Sequence, residues 1–275
     1  MIKKNNICRY PLVILISIIY LIPIYVLVGI SFKPQSDLSS YWKFPSSATL
    51  HNFLYAIEKG HIFTSIKNSI IITAFSIFLI VLIGAITSYP LARKNVKFTR
   101  FIRNFSLAIM MVPPLSILVP LYATLVDYHG INQYWGLVVT LLTFELPMSI
   151  FMFTNFIKAI PTALDEAAQI DGAGPTRTFY QIILPQLKPV TASVIILSGI
   201  HCWNDYQFSL YIMQKTSMKT ITVAISSFFS QESSNLNAAA AAALIAILPV
   251  VIVFLALQQY FIKGMADSAI KENNK

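Results

Sequence analysis

Apolar residues run through this chain in six long stretches, interrupted by short clusters that hold nearly all of the charge. The stretches cover about residues 11–32, 67–93, 103–127, 131–158, 188–212 and 232–263. Each is long enough for the hydrocarbon core of a bilayer, which takes roughly 20 helical residues at about 1.5 Å of rise. None alternates apolar and polar residues like a barrel strand, and unpaired backbone cannot face lipid, so all six are expected to be helices. The pattern predicts an all-α, polytopic membrane protein with six transmembrane helices. Pro113, Pro114 and Pro120 should kink the third, since each lacks a donor and crowds the preceding turn. Alanines 238–243 should let a neighbouring helix approach the sixth closely. Residues 33–67 are expected outside the membrane, with Phe53, Leu54, Ile57 and Ile62 spaced like a short amphipathic helix.

Composition sharpens this picture, because 56% of the residues are apolar and only 11% charged, far from a soluble domain. The net charge of +9 sits between apolar runs rather than on a polar face, which favours membrane topology over nucleic acid as its explanation. Placing both termini and every second loop in the cytoplasm collects Lys3, Lys4, Arg9, Arg93, Lys94, Lys97, Arg100, Arg103, Lys158, Arg177, Lys188, Lys263, Lys271 and Lys275 there. The other side keeps only Lys33, Lys43, Lys59, Lys67, Lys215 and Lys219, so N- and C-terminus are expected to be cytoplasmic. The first stretch could also be a secretory signal. It is longer than a usual apolar signal core and no small-x-small cleavage site follows, so an anchor helix is the expectation. Cys8 and Cys202 fall near opposite faces in this topology, and no disulfide between them is expected. The resulting division is an anchor and extracytoplasmic segment over residues 1–67, a transmembrane domain over 68–262 and a cytoplasmic tail over 263–275.

The loop over residues 158–186 is too hydrophilic to span. Thr162 and Asp165 resemble a capping box after Pro161, and Gly172 stands where a left-handed terminator would end a helix over residues 163–171. So short a helix is not stable by itself in water and has to be held by something else. Leu164, Ala167, Ala168 and Asp171 share one side of it, a narrow surface suited to the groove of another protein. Glu166-Ala167-Ala168, then Gly172, then Ile182, Leu184 and Pro185 match without a gap the pattern EAA-x3-G-x9-I-x-LP. The chain thereby resembles the permease subunits of ABC importers. Asn68-Ser69, Tyr89-Pro90-Leu91-Ala92-Arg93, Val112-Pro113-Pro114, Trp203-Asn204-Asp205-Tyr206, Leu248-Pro249 and Lys263-Gly264 are similar to the carbohydrate-uptake branch, in particular its maltose-transporter G-type subunit.

That resemblance implies a type I ABC-importer permease fold in a bacterial cytoplasmic membrane. It implies that Glu166, Ala167, Ala168, Asp171, Gly172, Leu184 and Pro185 belong to a coupling loop docked on ATPase subunits. It also implies a second homologous permease, an extracytoplasmic solute-binding protein, a carbohydrate substrate and no cofactor of the chain's own, ATP being bound by the partners. The alternative for the loop helix, lying on the membrane surface, suffers from its small apolar face. No phosphate-binding loop, metalloprotease motif, cysteine cluster or nucleophile elbow occurs, and His51, His61, His129 and His201 are scattered, so neither covalent chemistry nor a metal site is expected.

Four polar or aromatic residues are candidates for the substrate pathway. Glu145 falls near the middle of the fourth helix, where a carboxylate costs about 2.5–3.5 kcal/mol to insert, and such groups face a cavity or a partner. Pro147 could open that helix beside it. Equally, Glu145 could staple two helices. Trp203, Asn204 and Asp205 offer an aromatic face and hydrogen-bonding groups of the kind that bind sugars, although aromatic residues also populate the membrane interface. A permease for another small solute or a stand-alone secondary transporter are the competing functions.

Overall fold

The computed structural model describes residues 9–229 and 235–272; Lys3, Lys4, Cys8, Lys275 and the predicted boundary at Glu232 lie outside them. The described residues are helical, with no strand. In order the helices are α1 (Arg9–Phe32), α2 (His51–Lys59), α3 (Ile62–Arg93), α4 (Lys97–Ile109), α5 (Leu118–Asp127), α6 (Tyr134–Ala159), α7 (Ala163–Ile170), α8 (Pro175–Thr178), α9 (Leu184–Gln186), α10 (Lys188–Asn204), α11 (Gln207–Ile212), α12 (Ile221–Ser226) and α13 (Leu236–Glu272). Four are long and apolar enough to cross a membrane: α1, α3, α6 and α13 over Leu236–Ala256. Two bent pairs pass the same test, Lys97–Ile109 with Pro114–Asp127 at 96° and Pro175–Gln186 with Lys188–Asn204 at 72°.

The first of these pairs corrects the expected third helix. It is not one kinked rod but two helices, because Pro113 and Pro114 together remove two donors and push the preceding backbone out of the helical region. Pro120 sits in the first turn of α5, where a missing donor costs little. The expected fifth helix likewise stops at Asn204, and α11 follows after a break. Conversely, α6 runs unbroken through Pro147, which does not open it.

The chain forms two compact units, one of Met1–Phe63 with Val223–Leu248, the other of Thr64–Thr222 with Pro249–Lys275. In the first, Asn52 of α2 donates its side-chain amide to the Ser31 and Lys33 carbonyls at the end of α1, and the Asn237 side-chain amide donates to the Lys33 carbonyl as well. Lys33, only 2% exposed, folds back onto the Ser39 carbonyl at 2.6 Å. The Ser39 amide and hydroxyl hold the Asp37 carboxyl below its usual range. The buried face of α2 is Asn52 and Ala56; the expected stripe of Phe53, Leu54 and Ile57 is partly open, and Ile62 belongs to α3. Ala238, Ala239, Ala240, Ala241 and Ala242 are all buried, as close packing of small side chains requires.

The second unit packs α3, α6 and α10 around Ile72, Ile80, Phe153, Ile157, Ile183 and Val194. At Gly84 of α3 a side chain would collide with Ser149 of α6. The hydroxyls beside this crossing bond across it, Ser149 to the Ile80 carbonyl at 3.2 Å and Ser88 to the Ile150 carbonyl at 3.1 Å. Small residues therefore bring these two helices together where apolar attraction counts for little. At one end of α3, Asn68 donates to the Ser217 and Lys219 carbonyls at 3.0 Å and accepts from the Tyr134 hydroxyl at 2.7 Å.

Candidate functional site: the loop helix and its anchor

The loop after α6 builds a short surface helix whose start and stop have separate causes. Pro161 keeps Ile160 extended, which ends α6. Thr162 lies in the helical region and makes no side-chain cap, so the expected capping box is absent. At the other end Gly172 adopts φ +76°, and the Gly172 and Ala173 amides donate to the Gln169 and Ala168 carbonyls at 3.0 and 2.8 Å. This is the paired closure that a left-handed glycine permits. The helix stops at Ile170, with Asp171 as its cap.

Asp165, free of capping, points inward. Its Oδ1 accepts from the Tyr89 hydroxyl at 2.7 Å. Its Oδ2 lies 2.8 Å from Arg93 Nη2, an ion pair whose N–H is not aligned for a hydrogen bond. Arg93 Nη1 donates to the Ile157 and Ile160 carbonyls at 3.1 and 3.0 Å at the end of α6, where Ile157 also accepts from the Ile160 amide. The ion pair is largely shielded, at 13% and 11% side-chain exposure. Tyr89 packs at a tilt against buried Phe179, the residue after α8. One guanidinium thus ties the ends of α3 and α6 to the loop helix, a use that suits its planar fork of donors.

The two sides of α7 differ. Asp165 and Ala168 are buried against the chain, whereas Leu164, Glu166, Ala167, Ile170 and Asp171 are exposed. The expected single stripe of Leu164, Ala167, Ala168 and Asp171 therefore splits, because Ala168 faces inward. Ile170 is 87% exposed, an apolar side chain in the open that pattern reasoning passed over. Tyr89 and Arg93 were visible only as part of a resemblance, although their i, i+4 spacing puts both on one face of α3.

Beyond Gly172 the chain departs from regular α-helix, although Phe179, Ile183 and Leu187 stay buried in the core. Residues 179–183 form a turn of π-helix in which the Leu184 amide reaches back to the Phe179 carbonyl. Pro185 explains it, since it has no N–H for the normal acceptor four residues earlier. Leu184 and Pro185 are exposed, and the 72° bend into α10 follows. A cavity of about 570 Å³ separates Arg93, Asp165 and Glu166 from Thr176 and Tyr180.

The candidate pathway residues are dispersed. Glu145 Oε1 lies 3.1 Å from His201 Nδ1, joining α6 to α10, with Glu145 17% and His201 65% exposed. Asp205 accepts from the Phe208 and Ser209 amides at 3.3 and 2.8 Å and from the Ser209 hydroxyl, so its carboxylate is occupied in starting α11. Asn204 is exposed. Trp203 is buried beside a cavity of about 750 Å³ lined by α3, α10 and the Pro249–Phe254 stretch of α13. That lining is apolar apart from Thr73, and sugar hydroxyls placed there would lose hydrogen bonds to water without replacement. No group of three or more metal-ligating side chains occurs among the described residues.

Comparison with known proteins agrees with this architecture. Residues 80–267 match the family of binding-protein-dependent transport system inner membrane components. The chain is 40% identical over 258 residues to the melibiose/raffinose/stachyose import permease protein MelC of Bacillus subtilis, covering 94% of each chain. It is 32% identical over 274 residues to the multiple sugar-binding transport system permease protein MsmG of Streptococcus mutans, covering 98% of each. Among solved structures, a bacterial ABC transporter involved in import of the acidic polysaccharide alginate superposes with a TM-score of 0.78 at 19% identity, over 95% of this chain and 99% of that one. The MetNI methionine ABC transporter superposes at 0.59 over 73% of this chain and 94% of that one. The chain has the fold of these importers and belongs to the family of binding-protein-dependent transport system inner membrane components, as a multi-pass permease subunit of an ABC importer.

Proposed function

We propose that this permease imports a sugar or oligosaccharide by alternating access, driven by ATPase subunits that dock on the exposed side of α7. The observation that carries the proposal is the division of that helix: Asp165 grips the membrane helices while Glu166, Ala167 and Ile170 stay uncovered. A helix of eight residues has little stability of its own, and one whose apolar Ile170 stands in water is suited to a partner's groove. Glu166, Ala167 and Asp171 form the contact, Gly172 shapes its end, Ala168 supports it from below, and Leu184 with Pro185 continues the loop. The sequence similarity to permeases named for raffinose and other sugars supports the substrate class.

The rest of the assembly follows from the same reading. Six spans arise if each bent pair crosses once, which puts both termini and the α7 loop in the cytoplasm with most of the basic residues. Residues 1–67 then anchor the subunit and face outward, residues 68–262 carry transport, and residues 263–275 form a cytoplasmic tail. A second related permease completes the pathway, a solute-binding protein delivers substrate from outside, and ATP is held by the ATPase subunits, with no cofactor on this chain. Within the pathway Asn204, which is exposed, and Glu145, through exchange of its His201 contact, are the groups that would meet sugar hydroxyls, whereas Asp205 and Trp203 serve helix ends and packing.

Co-purification tests the proposal. Replacing Glu166 by Arg and Gly172 by Val should release the ATPase subunits from detergent-solubilised complex and abolish raffinose uptake. Full ATPase retention and uptake with both changed would refute it.

A further inference from the structure

We infer that Tyr89, Arg93 and Asp165 form a clamp that makes α7 one rigid body with the ends of α3 and α6, leaving the link to α10 as the pliable side. This deepens the docking reading above and rests on it. Arg93 closes the clamp from two directions at once. Nη1 satisfies the last carbonyls of α6, while Nη2 faces the Asp165 carboxylate 2.8 Å away. Tyr89, one turn earlier on α3, takes the other carboxylate oxygen. α7 is also joined to α6 by only three residues, 160–162, which Pro161 stiffens. Displacing α7 from α3 would therefore part a shielded carboxylate from its guanidinium and from the Tyr89 hydroxyl at once, a cost no single exposed contact approaches.

The other exit from α7 has the opposite character. Gly172 and Gly174 have no side chain nearby, the backbone passes through a π turn, and α10 departs at 72°. Glycine admits backbone conformations that other residues resist, and π turns recur at functional sites. Motion imposed on the exposed side of α7 is thus delivered to α3 and α6 through the clamp and absorbed at the glycine-bearing exit over residues 172–174, ahead of the core residues Phe179, Ile183 and Leu187. Tyr89, Arg93 and Asp165 act as positioning residues, since none of them reaches the exposed docking side.

Spin labels test this in the complete transporter, assembled with its ATPase subunits in nanodiscs. One pair, Lys94→Cys with Ile170→Cys, spans the clamp; a second, Ile170→Cys with Lys188→Cys, spans the pliable link. On adding ATP and vanadate the first distance should stay within about 1 Å while the second shifts by more than the roughly 1–2 Å of ordinary helix adjustments. Asp165→Asn, with the ATPase subunits still bound, should make the first pair respond to nucleotide, and Arg93→Lys should do the same because an ammonium cannot span both partners. A nucleotide-dependent change in the first distance with the clamp intact would overturn the inference, independently of either variant. Absence of any ATPase-dependent signal at Ile170 would instead overturn the docking reading beneath it.

Discussion

The two ends of α3 are both pinned by polar side chains, yet they are pinned in different ways. At the Asn68 end a neutral amide and a tyrosine hydroxyl close a loop over residues 217–219, with donors and acceptors matched. At the Arg93 end an ion pair holds a surface helix whose far side is bare. Neutral amides suit a junction that has only to persist. A shielded charge pair is costly to separate, which suits the docking junction proposed for α7.

The contrast can be broken most forcefully at Arg93. Arg93→Ala strips the shielded Asp165 of its ionic partner and the Ile160 carbonyl of its side-chain donor, and thermal unfolding of the solubilised protein should report a loss of about 3–5 kcal/mol. Neighbouring Lys94, exposed, should cost no more than about 0.5 kcal/mol on replacement by Ala. Equal effects at the two positions would erase the distinction between the ends. Asn68→Ala should come next, at about 1–3 kcal/mol from the unpaired carbonyls and hydroxyl, without altering ATPase retention. If retention fell as much as stability, the Asn68 end would also be part of the coupling route.

Gly172→Ala forces an L side chain into a left-handed conformation at a cost of about 1–2 kcal/mol. Because the strain is local to the end of α7, ATPase affinity should fall more than global stability does, and the reverse order would separate the glycine from docking. The smallest effect is expected at Glu145→Gln. His201 is mostly exposed and Gln can still accept its hydrogen bond, so stability should change by less than about 1 kcal/mol. Altered sugar uptake at unchanged stability would place Glu145 in the pathway, and unchanged uptake would make it a staple only.

What pattern alone could reveal follows from how local each cause is. The helix stop at Gly172 was legible because a left-handed glycine acts within a few residues, and the buried alanines of α13 because small size is sufficient for close packing. Asp165 was misread for the same reason. A carboxylate at that position suits a local capping box, but a guanidinium 72 positions earlier outbids it, and no local rule contains that competitor. The broken third helix shows how far a cue can be underweighted. Pro113 and Pro114 were expected to kink, whereas two successive missing donors part the helix altogether. Ile170 was overlooked since exposure is a property of the assembled chain, and an isoleucine next to buried Ala168 carries no mark of facing outward.

Docking depends on where the uncovered side of α7 points and what covers it. A single cysteine at Ile170, in a background without Cys8 and Cys202, can be treated with a membrane-impermeant maleimide in inside-out vesicles stripped of ATPase subunits. Ready labelling that is blocked when the ATPase subunits are added back is the predicted result. Labelling from the opposite side of the membrane, or labelling that the ATPase subunits leave undiminished, would contradict it.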